Sequence, residues 1–395
     1  MNVGPCPVQM ADSLLDRRSI LRLGLLALAG AAIPAKRSFS ANSTSPVSTD
    51  LSGPVPIQQD VISLPKVQVF RDRIIRTVAG LRPYRSSGFL VRADRVGAKV
   101  IIHNYGHGGC GVTLSWGTGQ LAVDLALKTH FRRAAVLGCG AVGLATARLL
   151  QDHGFQVTIY ARDLPPNTTS NIAGASWGPV TLVDHDRRTP EFTSQFEQAS
   201  RVANRYFQTL VGDHYGIKWV PMFYAGDTKM GPSWPSTVTP ELYPTTELAK
   251  GTHPFPSAFV SRRYTMLIEP NTYLPALISD FYLRGGRIVV TDFASLRSIM
   301  QLREGLIVNC TGLGAKTLFH DEEMDPIKGQ LTVLVPQPEI EYGVVSTSSD
   351  LYMFPRRDGI VLGGTHEMGE WSLKPDEAEA DRIFRGHQQF FAAMK

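Results

Sequence analysis

Four cysteines in 395 residues, Cys6, Cys110, Cys139 and Cys310, are too few for a disulfide framework. The first precedes an expected cleavage site, so an odd number remains in the mature chain. The chain also lacks any run of lysine and arginine and any basic stripe interleaved with aromatics. Its formal charge of +5 is spread thinly, which excludes a nucleic-acid surface and leaves one that tolerates anionic ligands. No apolar run reaches the about 20 residues a bilayer crossing takes. Internal repeats and coiled-coil heptads are missing too. What is there is 43% hydrophobic and 19% charged, enough to bury a large core and to fold as two interleaved domains with a cleft between them.

The first 56 residues read as address and tether. Asp16-Arg17-Arg18-Ser19-Ile20-Leu21-Arg22 leads into an apolar run over residues 23–33 and small residues ending at Ala35, the pattern of a twin-arginine export signal. Residues 1–35 are expected to be a cleaved signal peptide, which leaves no stable membrane anchor and places the mature protein in the periplasm or outside the cell. An amphipathic anchoring helix would also start with basic residues, but the apolar run is short. Residues 36–56, rich in Ser, Thr and Pro, predict a disordered linker.

Alternation predicts a strand over residues 67–78. Gly80-Leu81-Arg82-Pro83-Tyr84-Arg85 predicts a turn-bearing loop, and residues 88–92 and 99–102 predict two short strands. His103-Asn104-Tyr105-Gly106-His107-Gly108-Gly109-Cys110-Gly111-Val112-Thr113 is a glycine-dense loop opening into a helix over 114–127. A strand at 134–137 then meets Gly138-Cys139-Gly140-Ala141-Val142-Gly143, a helix at 144–153 and a strand at 156–160. This is G-x-G-x-x-G in the strand–turn–helix–strand setting that gives it meaning. The first glycine allows the tight turn and the second lets backbone approach a pyrophosphate. The third packs helix on strand, and the helix N-terminus offers aligned N–H groups. A glycine turn that merely packs a doubly wound sheet is the bland rival. The choice between NAD(P) and FAD stays open here, because Arg162 and Asp163 share the position where one acidic residue usually takes a ribose hydroxyl.

Downstream, helices are expected over 191–210, 270–283 and 375–394. Strands are expected over 217–224, 305–309, 330–335, 351–355 and 359–362. A second small-residue turn, Cys310-Thr311-Gly312-Leu313-Gly314, should lie against the cofactor.

Taken together, Gly138-Cys139-Gly140-Ala141-Val142-Gly143, Ala161-Arg162-Asp163-Leu164-Pro165, Thr168-Thr169-Ser170, Ala173-Gly174, Asn309-Cys310-Thr311-Gly312, Gly329-Gln330, Tyr352-Met353-Phe354-Pro355, Gly363-Gly364-Thr365 and the 103–113 loop resemble the D-amino acid oxidases. The likeness spans nearly the whole mature chain. It implies an α/β fold in which a Rossmann-type FAD-binding domain is interleaved with a substrate domain built on a mixed, largely antiparallel sheet. FAD then replaces NADP as the reading of Arg162-Asp163. The order differs: the family's Gly-x-Arg-Pro and His-Asn-Tyr-Gly-His-Gly-Gly segments come last, whereas here they occupy residues 80–113, as in a circular permutation. The link over residues 128–133 could span about 20 Å when extended.

The resemblance implies a division into a permuted segment (66–128), an FAD-binding βαβ core (129–180), a first part of the substrate domain (181–275), an FAD-domain return (276–325) and a second part of the substrate domain (326–395). It also implies oxidative deamination of D-amino acids to 2-oxo acids, with ammonia and hydrogen peroxide, by hydride transfer from the substrate α-carbon to the flavin and reoxidation by molecular oxygen. The expected substrate is a small molecule, an amino acid, and a homodimer is allowed. Arg82 would hold the substrate carboxylate through a planar fork that lysine cannot reproduce. Tyr352 would fix the same carboxylate, and the Gly109 main chain would lie at the reacting centre. Cofactor contacts would come from Gly138, Gly140, Ala141, Val142, Gly143, Arg162, Asp163, Thr168, Thr169, Ser170, Gly174, Thr311, Gly312, Gly108, Gly109, Gly111, Val112 and Thr113. A helix start near Thr113 would favour the anionic reduced flavin. Each residue has a plainer alternative: Arg82 as a surface ion pair, Tyr352 as a core tyrosine. His103 and His107 are expected to order their loop by hydrogen bonds and not to bind metal, and His366 to bias the pocket toward acidic side chains. A glycine, sarcosine or D-aspartate oxidase, a flavin dehydrogenase, and a catalytically idle flavin-binding protein stay open beside the main reading.

Overall fold

Apolar residues repeating at period two and period 3.6 sort the chain into strands and helices. The computed structural model describes residues 61–395, so the expected signal peptide (1–35) and linker (36–56) lie outside the described residues. In chain order come β1 (Ile74–Arg85), β2 (Leu90–Val96), β3 (Lys99–Tyr105), α1 (Gly111–Leu127), β4 (Arg133–Leu137), α2 (Ala141–Asp152), β5 (Gln156–Ala161) and α3 (Pro190–Thr209). Next are β6 (Ile217–Gly226), α4 (Trp234–Val238), β7 (Thr246–Leu248), β8 (Phe259–Ile268), α5 (Pro270–Leu283), β9 (Arg287–Val290), α6 (Leu296–Ile299) and β10 (Leu306–Asn309). The last group is α7 (Gly314–Leu318), β11 (Met324–Leu334), β12 (Gly343–Ser346), β13 (Leu351–Arg356), β14 (Gly359–Gly363), β15 (Glu367–Met368) and α8 (Glu377–Ala392).

The strands form two sheets. One has the order β2-β3-β10-β4-β5-β9 and is parallel except for the β2–β3 hairpin. Its central strands β10 and β4 are fully buried apart from one end residue, as befits a sheet covered on both faces. The other has the order β1-β11-β14-β13-β12-β6-β8-β7, with β15 on β11, and is antiparallel except for the β6–β12 pair. The fold is therefore α/β, a Rossmann-type layer interleaved with a mixed, largely antiparallel sheet. Residues 74–127 are shared between them: β1 joins the second sheet, while β2 and β3 complete the first.

Helix packing decides which stretch belongs to which layer. On α3, Phe192, Phe196, Ala199, Ala203 and Phe207 form a buried stripe. The helix starts on Thr189, whose hydroxyl accepts from Phe192 N at 3.1 Å, with Pro190 at its first position. This stripe lies on α1 so closely that a Cβ at Gly117 would sit 1.9 Å from Ala199 O. Trp116 stacks on Tyr206 at 3.8 Å and donates through Nε1 to Tyr273 Oη of α5 at 2.7 Å. Residues 190–209 thus sit with the helices of the parallel sheet, and the domain limit expected at 275/276 falls inside α5. Ile383, Phe384 and Phe391 of α8 cover one face of the antiparallel sheet, leaving its other face to line the site.

One expectation is overturned. Residues 80–85 are the second half of β1 and not a turn-bearing loop, and the strand begins at Ile74 rather than near residue 67. The local Gly and Pro signals yield to pairing with β11, where Gly80 faces Gly329 and Pro83 faces Pro326. β1 is an edge strand, where a missing N–H is tolerated. Val67 and Val69 are instead buried outside any ladder, in the cluster beneath α8.

Candidate active site

The site is assembled from two glycine turns and one sheet face. At the end of β4, Gly138 has φ +103, and a Cβ there would lie 2.5 Å from Cys310 O. A Cβ at Gly143 would lie 2.1 Å from Gly138 O. Only glycine fits at either position. Gly140 is different: nothing but Ser170 Oγ, at 3.0 Å, comes near its missing Cβ, so its surface is open to a ligand. No side chain of Gly140 caps α2, and Ala141 N donates to Ser170 Oγ at 3.0 Å. Ala141, Val142 and Gly143 therefore present a helix N-terminus beside Ser170. Thr168 and Thr169 lead into the same short turn, with Thr168 Oγ1 donating to Asn171 Oδ1 at 2.8 Å. Past β5, Arg162 and Asp163 pair with each other at 2.9 Å, both exposed.

The second turn follows β10. Cys310 N donates to Leu137 O, tying this turn to the end of β4. Thr311 donates through N and Oγ1 to Asn309 Oδ1 at 3.1 and 2.7 Å. Gly312, at φ +56, places its missing Cβ 3.5 Å from Pro83, beside Arg82. The 103–113 segment reaches the same region: Gly111 lies near His107 and Val142, so α1 and α2 begin side by side. Thr113 Oγ1 accepts from Gly178 N at 3.4 Å, and Val112 is buried. Within this segment His107 stacks on Phe89 and bonds Thr118 Oγ1 at 2.8 Å, while His103 bonds Asn309 Nδ2 at 3.1 Å. Burial drives the His107 pKa down to about 3, so its ring is neutral. Cys110 is likewise buried, its thiol pushed up to about 12 by burial and kept protonated.

A refinement concerns Gly108 and Gly109. Their missing side chains are dictated by protein backbone: a Cβ would lie 2.0 Å from Thr181 O at Gly108 and 2.9 Å from Val180 O at Gly109. These glycines let residues 180–181 close over the loop, whereas Gly111 has only ordinary contacts within 4 Å.

Register sets the remaining side chains. Directly opposed residues share a face and alternate residues return to it. Val78, Leu331, Gly363, Tyr352, Val345 and Tyr224 lie opposite one another across six strands, so Arg82, four residues beyond Val78, shares their face. Its Nη1 donates to Thr365 O at 3.0 Å and lies 3.2 Å from His366 Nδ1. Gly329 makes the room, since a Cβ there would be 2.5 Å from Nη2. Gly363 does the same for the Tyr352 ring, 2.2 Å from its would-be Cβ. Tyr352 stacks on Phe354 at 4.9 Å, and Gly174 abuts both rings. Burial raises the pKa of the Tyr352 hydroxyl, and the neighbouring Arg82 guanidinium partly offsets this. Burial, then Arg82, lowers that of His366, which stays neutral above its ordinary range. Arg82, Tyr352, Gly174 and Gly109 thus come together at one end and the Gly138–Gly143 turn lies at the other, with α1 starting between them. Gly329, Gly363 and Thr365 were legible only as family motifs. Arg263, Tyr224 and Tyr243, farther along the same face, gave no local signal.

The arrangement fits a flavin dinucleotide. The open Gly140 surface and the paired starts of α1 and α2 accept anionic phosphates, and the cationic, aromatic sheet face accepts a carboxylate. The family model described as FAD dependent oxidoreductase (DAO) matches residues 59–125 and 133–395. A D-amino-acid oxidase of Rubrobacter xylanophilus is 30% identical over 263 residues, 64% of this chain and 75% of its own. A D-aspartate oxidase of Homo sapiens is 30% identical over 257 residues, 64% and 73% of the two chains. Among solved structures, glycine oxidase from Geobacillus kaustophilus aligns with a TM-score of 0.49 and 16% identity, covering 66% of this chain and 78% of that one.

Proposed function

This chain belongs to the DAO family of FAD dependent oxidoreductases, and from that premise we propose that it oxidatively deaminates D-amino acids to 2-oxo acids, with ammonia and hydrogen peroxide as the other products. It is an FAD-dependent oxidoreductase of the D-amino acid oxidase type acting on CH–NH2 donors, and its substrate is a small molecule, an amino acid. The relatives named for D-amino acids and D-aspartate support the finer reading. One observation carries it: the Arg82 guanidinium and the Tyr352 hydroxyl sit side by side on the sheet face that looks toward the glycine turns.

Gly138, Gly140 and Gly143, with the α2 N-terminus and Ser170, would hold the cofactor's phosphates, and the α1 start at Gly111, Val112 and Thr113 would face its ring. When bound, FAD supplies the hydride acceptor. Arg82 takes the substrate carboxylate in its fork, preoriented by the Thr365 carbonyl, and Tyr352 donates to the same carboxylate. Fixing that group leaves the α-C–H with one orientation toward the ring, so the residues act by positioning. Neutral His366 leaves the positive charge at the carboxylate subsite to Arg82. A neutral substrate amine removes any need for a protein base.

We also propose export through the twin-arginine pattern at residues 16–22 and a circular permutation of the family order. The two matched blocks, separated at residues 126–132, and the threading of β1 through β3 into both sheets support the permutation. The decisive experiment is anaerobic mixing of the purified yellow protein with D-alanine, D-aspartate, glycine and L-amino acids. Bleaching by D-amino acids and peroxide formation in air are expected. Bleaching by none of them would overturn the reading, and bleaching without peroxide would make the protein a dehydrogenase.

A further inference from the structure

On the same sheet face, beyond Tyr224, lies a second cation that the reaction above does not use. Arg263 of β8 is two residues from Ser261, the residue opposite Tyr224, and so points with Arg82 and Tyr352. Its guanidinium is sandwiched between two tyrosine rings, 4.5 Å from the centroid of Tyr224 and 5.0 Å from that of Tyr243, and it donates to the Tyr224 hydroxyl. Among the described residues no carboxylate pairs with it. Around it are buried donors with no partner: the Tyr243 hydroxyl and Trp177 Nε1, on rings 6.2 Å apart. Both side chains are more than nine-tenths buried.

A short stretch of backbone links this cluster to Arg82. A Cβ at Gly178 would lie 3.6 Å from Arg263 Nη2. Two residues on, Val180 borders Gly109, whose would-be Cβ is 3.6 Å from Arg82 Cδ. Gly178 and Val180 are two residues apart, so one short stretch of backbone borders both arginine side chains. Gly178 also contacts Thr113 at the start of α1, which places Arg263 beside the expected ring position.

A half-buried cation flanked by buried donors that have no partner is costly until an anion arrives. We infer that Arg263, with Tyr224 and Tyr243, forms a second carboxylate subsite, so that the substrates are D-amino acids with an acidic side chain. This rests on the oxidase reading for its chemistry, while the subsite itself does not. Arg82 takes the α-carboxylate and Arg263 the distal one. A neutral side chain would leave the guanidinium without a counter-charge and the Tyr243 hydroxyl without a partner, which is how such sites reject analogues.

The test compares succinate with propionate, and D-aspartate and D-glutamate with D-asparagine and D-alanine, on the flavin holoenzyme. Perturbation of the flavin absorbance should show succinate binding on the order of 100-fold tighter than propionate. Arg263→Met should erase that gap while leaving propionate binding within a few-fold. In kcat/KM, an acidic D-amino acid should lead its neutral counterpart by a similar factor, and Tyr243→Phe should narrow the lead. Equal binding of the two acids by the wild type, or a gap that survives Arg263→Met, would overturn the subsite. Were Arg263→Met not to fold, the wild-type preferences and Tyr243→Phe decide alone. A succinate preference without bleaching by any amino acid would sink the oxidase reading and leave the subsite standing.

Discussion

At the dinucleotide end of the site, Gly138, Gly140 and Gly143 lie within six residues of one another and their geometry is set by backbone atoms 2.1 to 2.5 Å from the missing side chains of Gly138 and Gly143. At the substrate end, Arg82, Gly329, Tyr352 and Thr365 come from positions spread over nearly 300 residues, and sheet register brings them together. The first end is contiguous and defined by main chain, so it tolerates little added volume. The second is defined by side chains on a rigid scaffold, so its fold should survive substitutions that abolish its chemistry. Binding of the cofactor and recognition of the substrate are therefore expected to separate cleanly under mutation.

The largest effect should come from Arg82→Ala: kcat/KM falls about 1,000-fold as a buried charge contact to the substrate is lost, while the flavin content of the purified protein stays at the wild-type ratio. Loss of flavin from this variant would erase the distinction between the two ends. Gly143→Ala should do the reverse. The new methyl group meets Gly138 O, and overpacking of this kind costs about 1–3 kcal/mol, so urea unfolding should shift to lower concentration and flavin should be released.

Acid sharpens the comparison further, because each end has a buried histidine. His107 lies in the glycine loop, and His387 reaches the Tyr352 carbonyl at 3.1 Å from behind the sheet. Burial lowers both, to about 3 and about 4. Between those values and the ordinary 6.5, the unfolded chain takes protons that the folded chain refuses. Stability is thus full above pH 6.5 and falls on acidification, by up to about 1.4 kcal/mol per pH unit for each histidine. Urea titrations from pH 7 to pH 5 should show this slope, and His387→Gln should reduce it. A flat profile would contradict the burial of both rings. The smallest effect is Tyr352→Phe, which removes one hydrogen bond to a charged group. KM should rise about 10-fold with flavin content unchanged.

Much of this was legible locally. The 138–143 turn announced itself through glycines at fixed offsets between a strand and a helix, because those offsets answer to local backbone geometry. Thr168, Ser170, Thr311 and Gly312 followed from the resemblance; Ser170 and Thr311 lie against that turn, and Gly312 lies against Pro83. The stretch 80–85 misled, since its Gly and Pro residues carry turn signals that only the partner strand β11 overrides. Gly108 and Gly109 stood out by their density, but only the tertiary structure showed that residues 180–181 are what a side chain there would meet. Arg263 carried no signal at all, because an arginine in an alternating strand looks like any exposed one until two tyrosines, one from the neighbouring strand and one 20 residues away, close around it.

By itself the sequence determined the βαβ unit and its dinucleotide turn, since these depend on residues close in the chain, and the resemblance singled out Arg82 through a motif that travels intact. Only the tertiary structure decided that Arg82, Tyr352 and Arg263 share one face. That outcome depends on the register of an eight-strand path, in which a slip of one residue would turn a strand's side chains to the opposite side.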